Sequence, residues 1–298
     1  MVYNMAFYDV RIPFKQRAEL LALVNKVKGF IADRGTSGYF ADNLITIGRN
    51  LGFMHDDSFR KSLDSSFIEP DDVNKTWRLH VYAWAVRSAL EVEGDLVECG
   101  VYRGLYVDAA VKYLFEIIKD KEFYLYDTFE GLDKRYSSDV ERVLTGDSSY
   151  NKSGLENEVR ERFSKYNWIN VIKGVIPDIL HDHSPKKISF LHLDLNAGIA
   201  ETKALDILFD RISEGGIILL DDYGRFEHND LFCDHNRWFI NKGYRILELP
   251  TGQGLVIKRN IKDLKQKVKC ADFGPRNITP LLSTPKGENP LGTLEIRS

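Results

Sequence analysis

Two apolar segments of strand length in this chain end in carboxylates. Asp194 closes the segment 188–194, and Asp221 and Asp222 follow the apolar segment 216–220. Strands buried on both faces of a parallel sheet read as nearly continuous apolar runs. Ligands of such sheets collect beyond the carboxyl ends of the strands. We therefore expect the three carboxylates to lie close together, which indicates a metal-assisted enzyme.

The composition of this acidic group favours a hard cation such as Mg²⁺. No Cys or His pair accompanies the carboxylates, and Mg²⁺ prefers oxygen ligands while keeping several waters. Two substrate hydroxyls could replace such waters, and chelation would lower the pKa of a hydroxyl and hold its oxygen for attack. The alternative is that Asp221 and Asp222 only cap a loop and face solvent.

A second group of candidate residues surrounds a glycine turn within residues 94–104. Gly100 allows the backbone to approach a ligand, and Gly104 allows the next helix to pack closely. Glu98 stands at the tip of the preceding strand, where its carboxylate would repel a pyrophosphate. The same carboxylate would attract the ammonium and sulfonium groups of S-adenosylmethionine.

Two later strand ends complete the predicted nucleoside site. Asp127 lies about 20 residues past the turn, where an acidic side chain can accept hydrogen bonds from ribose hydroxyls. Its alternative role is to cap a helix or form a turn. Gly174 closes the third strand, where an adenine edge could bind. The predicted cofactor contacts are Glu98, Gly100, Val101, Tyr102, Gly104, Asp127, Thr128, Phe129 and Gly174.

The elements that must position these residues alternate between strand and helix patterns. This alternation predicts an α/β fold with a doubly wound, largely parallel sheet. The predicted strands are 95–99, 123–127, 169–172, 188–194 and 216–221, and the predicted helices are 104–117, 155–166 and 200–212.

The last part of the sheet follows a different pattern. A helix through Trp238 precedes a predicted strand at 244–249, a turn at 250–254 and a returning strand at 255–258. A terminal antiparallel hairpin is typical of the Rossmann-like sheet of class I methyltransferases. A dinucleotide-binding Rossmann fold adds further parallel strands instead. This is an analogy at the level of the fold.

We assign residues 94–259, which contain these strands and helices, as the cofactor-binding domain. The segments on either side of it have different sequence patterns. Residues 1–93 are predicted to form a mainly helical extension or lid, because apolar residues recur with helical spacing in 18–31 and 77–90. A loop containing Gly35, Gly38 and Asp42 lies between these helices. Residues 260–298 lack apolar periodicity and are predicted to form an irregular tail.

Composition excludes several protein classes. The 298 residues carry a formal charge of −3, which gives no electrostatic reason to expect nucleic acid. No apolar run approaches the roughly 20 residues of a membrane helix. Three cysteines with no metal-like spacing fit a reducing cytosol, with Cys99 a buried apolar residue. We expect a cytoplasmic protein without a membrane or nucleic-acid partner.

The motifs described above carry a family resemblance. Gly94-Asp-Leu-Val-Glu-Cys-Gly-Val-Tyr-Arg-Gly104, Asp127-Thr-Phe-Glu-Gly-Leu132, the Asp194 strand and Leu219-Leu-Asp-Asp-Tyr-Gly224 resemble the TylF-type (macrocin) O-methyltransferases. The upstream segment 42–53 resembles the region that covers substrate and cofactor in that family. The resemblance implies an O-methyltransferase dependent on S-adenosylmethionine and Mg²⁺, which acts on a sugar of a natural product or glycan. It also implies a homo-oligomer with contacts from the N-terminal part.

One position departs from the family pattern. The family has a second acidic residue, the general base, two positions after the first metal ligand, and this chain has Asn196 there. A neutral amide cannot accept the proton, although it can orient a hydroxyl. His192 shares a strand face with Asp194 and is a candidate substitute or a core residue. His228 and His235 have no distinguishing spacing, so the base stays unassigned.

The departure leaves two alternatives open. A regulatory protein could keep the S-adenosylmethionine pocket without transferring a methyl group. An NAD-linked oxidoreductase is the other alternative, although Glu98 and the terminal hairpin count against it. The sequence identifies neither the acceptor nor the position methylated.

Overall fold

The structure, a computed structural model, describes residues 14–118, 120–145, 150–225 and 228–260. Except for Asn260, the tail predicted at 260–298 lies outside these ranges, as do the first 13 residues of the predicted extension. Within the described ranges, no helix has the length and apolarity that crossing a membrane requires.

A seven-stranded sheet forms the centre of the described chain. Its strands are β3 (Asp95–Cys99), β4 (Phe123–Asp127), β5 (Ile169–Lys173), β6 (Ile188–Leu193), β7 (Ile212–Leu220), β8 (Leu247–Glu248) and β9 (Gly254–Ile257). Their order across the sheet is β5-β4-β3-β6-β7-β9-β8. The pairs from β5 to β7 are parallel, whereas β9 is antiparallel to both β7 and β8.

The chain order creates a switch point between β3 and β6. From β3 the chain moves outward through β4 to β5, and it then returns to β6 and continues to β7 on the other side. Cys99 pairs with Leu193 across this boundary, so the carboxyl ends of both strands meet at one edge. A crevice at such a boundary is the usual ligand site of an open α/β sheet.

Helices pack on both faces of the sheet. They are α1 (Phe14–Ala32), α2 (Asp57–Asp64), α3 (Thr76–Ala89), α4 (Leu105–Ile118), α5 (Asp139–Thr145), α6 (Leu155–Phe163), α7 (Leu180–His183), α8 (Gly198–Leu208) and α9 (Asn229–Asn241). Short 3-10 turns cover Gly52–His55, Pro70–Lys75 and Phe209–Arg211.

Alternating side chains of the strands fill two apolar layers. Leu96 packs with α3 and α4 on one face, and Val97 packs with α8 and α9 on the other. Successive strand residues point to opposite faces, and both faces here are covered by helices. This explains why the central strands read as unbroken apolar runs. Cys99, predicted to be buried, is inaccessible to solvent.

The predicted fold class is confirmed, with one shortened strand. The mostly parallel sheet and its terminal antiparallel pair are both present. The strand predicted at 244–249 is wrong in length, because only Leu247–Glu248 pairs with β9. These two residues are exposed at the edge of the sheet, where no further strand of the described chain holds the flanking residues in ladder geometry.

The N-terminal region contains an element that the sequence analysis missed. The predicted loop around Gly38 and Asp42 is an antiparallel hairpin of β1 (Gly38–Ala41) and β2 (Leu44–Ile47). Asp42 and Asn43 at its tip have φ of 51° and 57°. Positive φ at both central residues defines the tight turn that suits a twisted hairpin, and Asp and Asn tolerate it.

Candidate functional site

The three carboxylates predicted to form a metal site come together at the ends of β6 and β7. Leu193 and Leu220 are paired across these strands, so Asp194 and Asp221 follow at the same level. One oxygen from each of Asp194, Asp221 and Asp222 lies within 4.8 Å of the others. The alternative in which Asp221 and Asp222 cap a loop in solvent does not fit, because both are buried.

A buried arginine from α3 lies against two of these carboxylates. Arg78 Nη1 donates to Asp221 Oδ2 at 2.5 Å and lies 3.4 Å from Asp222 Oδ1. Its Nε donates to Asp42 Oδ2 at 2.6 Å, at the tip of the N-terminal hairpin. Arg78 therefore connects the hairpin to the acidic cluster.

A second arginine pairs with the same group of carboxylates. Arg225 lies 3.1 Å from Asp42 Oδ1 and 3.2 Å from Asp222 Oδ1. The four carboxylates of Asp42, Asp194, Asp221 and Asp222 thus face two guanidinium groups, which leaves two negative charges uncompensated. This surplus and the all-oxygen donor set fit a divalent hard cation.

The two central carboxylates have opposite pKa shifts. Partial burial, together with the charges of Asp221 and Asp222, raises the pKa of Asp194 well above its usual range. Burial alone would also raise the pKa of Asp221, but Arg78 and His192 lower it below the usual range. Asp221 is thus held ionised, whereas the ionised form of Asp194 is disfavoured unless a cation offsets the neighbouring carboxylates.

A buried chain of polar groups lies behind the cluster, on β3 and β6. His192 Nδ1 is 3.4 Å from Glu98 Oε2, and His192 Nε2 is 3.6 Å from Asp221 Oδ1. The Tyr82 hydroxyl donates to Glu98. Burial lowers the pKa of His192, but the two flanking carboxylates outweigh it and raise the pKa to about 10. His192 is therefore protonated near neutral pH, which does not suit the base role suggested for it.

A cavity that opens to solvent lies beside the cluster along the switch point, and its empty space, including the open solvent at its mouth, is about 1060 Å³. The predicted site residues that line it are Gly100, Val101, Tyr102, Asp127, Thr128, Gly174, Asp194 and Asn196. Glu98 lies beneath this surface and is 1% exposed, so its predicted contact with a cofactor is not favoured. Gly104 and Phe129 also lie outside the lining.

Asp127 holds the glycine turn in place. Its Oδ2 accepts hydrogen bonds from the amides of Val101 at 2.7 Å and Tyr102 at 2.8 Å, and its Oδ1 accepts from Phe129 at 2.6 Å. Burial raises the pKa of Asp127, although these amides oppose the shift. The Asp127 side chain also lines the cavity.

The two glycines of the turn are required for packing. A Cβ on Gly100, at φ +93°, would lie 2.0 Å from the carbonyl oxygen of Asp194. The absence of a side chain at Gly100 therefore serves packing as well as any ligand, since it lets the end of β3 approach the backbone of Asp194. A Cβ on Gly104 would lie 2.6 Å from the Phe163 ring, as close packing predicts.

Asn196 stands at the cavity wall in a left-handed conformation. Its φ is 55°, and its Nδ2 is 3.4 Å from Asp194 Oδ1. Two further histidines have partners elsewhere: His80 stacks on Phe53 at 4.6 Å, and His235 pairs with Glu201 at 2.9 Å. The structure therefore leaves the base unassigned.

Sequence reasoning missed several groups at the acidic cluster. Besides Arg78 and Arg225, Gln253 Nε2 donates to Asp221 Oδ1 at 2.8 Å, and the Tyr106 hydroxyl lies 3.2 Å from Asp221 Oδ2. Gln253 lies within the hairpin turn predicted at 250–254, and that turn carries no local signal of function. For Arg78, the available signal was a charged residue within the apolar pattern of α3.

The sheet order and the site at its switch point define a Rossmann-like fold of the class I methyltransferase type. The solved structure of the O-methyltransferase NovP is similar in fold, with a TM-score of 0.53 and 21% identity, over 61% of this chain and 80% of that one. The family described as Macrocin-O-methyltransferase (TylF) matches residues 77–239. The chain belongs to this family.

One curated relative is similar in sequence over part of its length. The chain is 28% identical over 143 residues to the 8-demethyl-8-(2,3-dimethoxy-alpha-L-rhamnosyl)-tetracenomycin-C 4'-O-methyltransferase of Streptomyces olivaceus. The match covers 44% of this chain and 54% of the relative. The chain thus spans about half the length of the curated relative that it matches.

Proposed function

We propose that this chain is an O-methyltransferase that uses S-adenosylmethionine and Mg²⁺ to methylate a hydroxyl of a sugar in a natural product or glycan. The supporting observation is the meeting of three carboxylates, from Asp194, Asp221 and Asp222, beside a cavity bounded by a glycine turn and Asp127. Family membership supports the reaction, and the rhamnosyl acceptor in the name of the Streptomyces relative supports the sugar.

Each group in the site has a defined task in this proposal. S-adenosylmethionine would supply the electrophilic methyl group, and the cation would lower the pKa of the acceptor hydroxyl. Asp194, Asp221 and Asp222 would hold the cation, while Arg78 keeps Asp221 ionised and oriented. The methyl group would pass from the sulfur to the acceptor oxygen, which would leave S-adenosylhomocysteine, and the hydroxyl proton would pass to water. Asn196 would orient the hydroxyl, since its amide cannot take that proton.

The cofactor contacts are proposed along the lining of the cavity. Asp127 would accept a hydrogen bond from the ribose, the turn from Gly100 to Tyr102 would face the sulfonium side, and Gly174 would adjoin the adenine.

We also propose a homo-oligomer in which residues 1–93 act as a lid, residues 94–259 bind the cofactor and residues 260–298 form a tail. Light scattering on the purified protein measures the oligomeric state.

Calorimetry and product analysis test the function. We expect S-adenosylhomocysteine to bind, and a panel of glycosylated acceptors to yield a product heavier by one methyl group in the presence of Mg²⁺. Asp221→Asn and Asp222→Asn should lower turnover at least about a hundredfold and weaken Mn²⁺ binding, whereas Asp210→Asn, an exposed control, should not. Full activity in chelator would disprove the metal role, and absence of S-adenosylhomocysteine binding would disprove the function.

The neutral side chain of Asn196 favours one second candidate. A protein that binds S-adenosylmethionine without transferring its methyl group needs no base, and the family's acidic residue is replaced here. Binding of S-adenosylhomocysteine with no turnover on any acceptor would support this regulatory role. Family membership does not support the NAD-linked oxidoreductase alternative.

A further inference from the structure

Two consecutive residues of α9 are linked, each through one partner, to the two loops that carry the acidic cluster. The first, His235, is fully buried, and its Nε2 lies 2.9 Å from Glu201 Oε2 on α8. The second, Asn236, is also buried, and its Nδ2 donates to the Tyr223 hydroxyl at 2.8 Å. Buried polar groups are costly unless they are paired, so both contacts favour one defined position of α9.

The His235 contact leads to the loop after β6. Glu201 is buried, and its other carboxylate oxygen, Oε1, accepts a hydrogen bond from the Leu195 amide at 3.0 Å. Leu195 stands between Asp194, a member of the acidic cluster, and Asn196. A carboxylate that lies against His235 through one oxygen therefore holds the backbone next to Asp194 through the other.

The Asn236 contact leads to the loop after β7. Tyr223 directly follows Asp222, and its buried ring packs against Phe232 of α9 at 4.8 Å. Asn236 Nδ2 also donates to the Phe232 carbonyl oxygen at 2.9 Å, which fixes the amide in the orientation that reaches Tyr223. A hydrogen bond and a ring contact thus connect the backbone beside Asp222 to α9.

The helices α8 and α9 are packed closely against each other. A Cβ on Gly198, the first residue of α8, would lie 2.8 Å from Asp234 Oδ2 and 3.4 Å from Leu231 Cα. Further along the two helices, Trp238 Nε1 donates to Asp206 Oδ1 at 2.8 Å. Such close packing leaves little room for one helix to shift alone. The helix α9 is therefore a common support for the loops after β6 and β7.

We propose that His235 and Asn236 are positioning residues of the acidic cluster, which set the separation between Asp194 and the pair Asp221 and Asp222 that a divalent cation needs. The inference rests on the proposed function, since it requires a cation at the cluster. Groups that hold metal ligands from behind contribute strongly to metal affinity although they do not touch the ion. Because Mg²⁺ demands near-ideal octahedral geometry, a change in this separation should weaken its binding.

Binding of Mn²⁺ to the full chain, measured by calorimetry and electron paramagnetic resonance, tests this role. We expect Asn236→Leu and His235→Leu to weaken Mn²⁺ about tenfold or more and to change the line shape of the bound ion. His235→Leu also leaves Glu201 buried without its partner, which destabilises the fold.

Tyr223→Phe therefore breaks the second contact from its other end, by removing one hydroxyl group. We expect this variant to weaken Mn²⁺ several-fold, with the same change of line shape as Asn236→Leu. Its affinity for S-adenosylhomocysteine should stay within about twofold of that of the unmodified chain, because Tyr223 lies outside the lining of the cavity.

Two control variants on the same helix separate positioning from a loss of stability. Phe239→Leu removes part of a fully buried side chain of α9, which should lower the Tm without changing the affinity for Mn²⁺. Arg237→Met, at an exposed residue that pairs with Asp234 at 2.9 Å, should change neither quantity.

The outcomes distinguish the possible failures. Unchanged Mn²⁺ affinity in Asn236→Leu and Tyr223→Phe would overturn the inference. An equal loss of affinity in Phe239→Leu would also overturn it, since the effect would then follow stability alone. If the unmodified chain binds S-adenosylhomocysteine but not Mn²⁺, the metal role in the proposed function fails, and the inference fails with it. If the chain binds neither, the proposed function as a whole is wrong.

Discussion

Glu141 accepts a hydrogen bond from the backbone amide of Gly198 through Oε1 at 2.7 Å. Its Oε2 accepts from the amide of Ser138 at 2.7 Å, and Ser138 Oγ accepts from the Glu141 amide at 3.2 Å. This reciprocal pair forms the N-terminal cap of α5. Because Gly198 begins α8 directly after the loop with Asp194 and Asn196, one side chain joins a wall of the cavity to the loop of the acidic cluster.

Removing this connection should affect both stability and ligand binding. Glu141→Ala leaves the buried Gly198 amide and the partly buried Ser138 amide without their acceptor, so we expect the free energy of unfolding to fall by about 2 kcal/mol. The affinity for S-adenosylhomocysteine should fall several-fold, because the wall is no longer fixed to the loop. Glu141→Gln keeps one acceptor oxygen, so its free energy of unfolding and its affinity should lie between those of the unmodified chain and Glu141→Ala. Chemical denaturation and calorimetry measure both quantities, with exposed Glu158→Gln as the control; an unchanged affinity in Glu141→Ala would contradict this coupling.

Replacing Arg78 should make the protein more dependent on divalent cations. Arg78→Met leaves Asp42, Asp221 and Asp222 short of positive charge in a buried setting, which should cost about 3 kcal/mol of unfolding free energy in chelator. Mn²⁺ should raise the Tm of this variant by more than it raises that of the unmodified chain, because the cation replaces the missing charge.

The matched control for Arg78 is Arg60, whose side chain is 41% exposed and pairs with Asp57 at 3.6 Å. Arg60→Met should cost at most about 1 kcal/mol, as exposed ion pairs contribute little. Equal stabilisation of both variants by Mn²⁺ in thermal scans would show that Arg78 does not share the cluster with the cation.

Restoring the acidic residue at position 196 should speed the proposed reaction. Asn196→Asp places a carboxylate at the cavity wall, and aspartate tolerates the φ of 55° found there. General-base catalysis contributes about 10² to 10⁴ in rate, so we expect turnover to rise at least about tenfold at neutral pH. The gain should disappear at low pH, where the carboxylate is protonated.

Asn196→Gly is the control for this change, because glycine keeps the left-handed conformation without a side chain. It should lower turnover relative to the unmodified chain if Asn196 orients the hydroxyl. A pH–rate profile separates the three proteins. Identical profiles for Asn196→Asp and the unmodified chain would show that the residue does not face the reacting oxygen.

The cap of α2 should make a pH-dependent contribution to stability. Asp56 Oδ1 accepts from the Phe59 amide at 3.0 Å, and Oδ2 accepts from the Tyr113 hydroxyl at 2.7 Å; both bonds lower the pKa of Asp56. A lowered pKa means that the folded state favours the ionised form. The stabilisation is therefore present above the unfolded pKa of about 3.9 and is lost as pH falls through the lower folded value.

We accordingly expect Asp56→Ala to lower the free energy of unfolding by about 1 kcal/mol at pH 7. The difference from the unmodified chain should shrink as the pH drops below about 4. Asp57→Ala, at an exposed neighbouring position, should show a smaller effect at both pH values. Denaturation curves at pH 7 and pH 3 measure this, and a difference that grows on acidification would contradict the sign of the shift.

Local sequence determined the fold and the position of the acidic residues. The strands at 95–99 and 123–127 were predicted at the bounds that the structure has, because burial on both faces leaves an apolar run with polar ends. The same logic placed Asp194, Asp221 and Asp222 at one edge of the sheet, since parallel neighbours end at the same edge. Asp127 was predicted at the end of its strand because a polar residue closes an apolar run there.

Tertiary structure alone decided how those residues are used. Glu98 was assigned to the cofactor from its place at a strand tip, but pairing of β3 with β6 sets it opposite His192, beneath the cavity. The ion pair of Arg78 with Asp221 joins residues 143 positions apart. Periodicity and turn chemistry describe neighbours in the chain, whereas burial, charge balance and pKa depend on neighbours in space, which exist only once the sheet has closed around them.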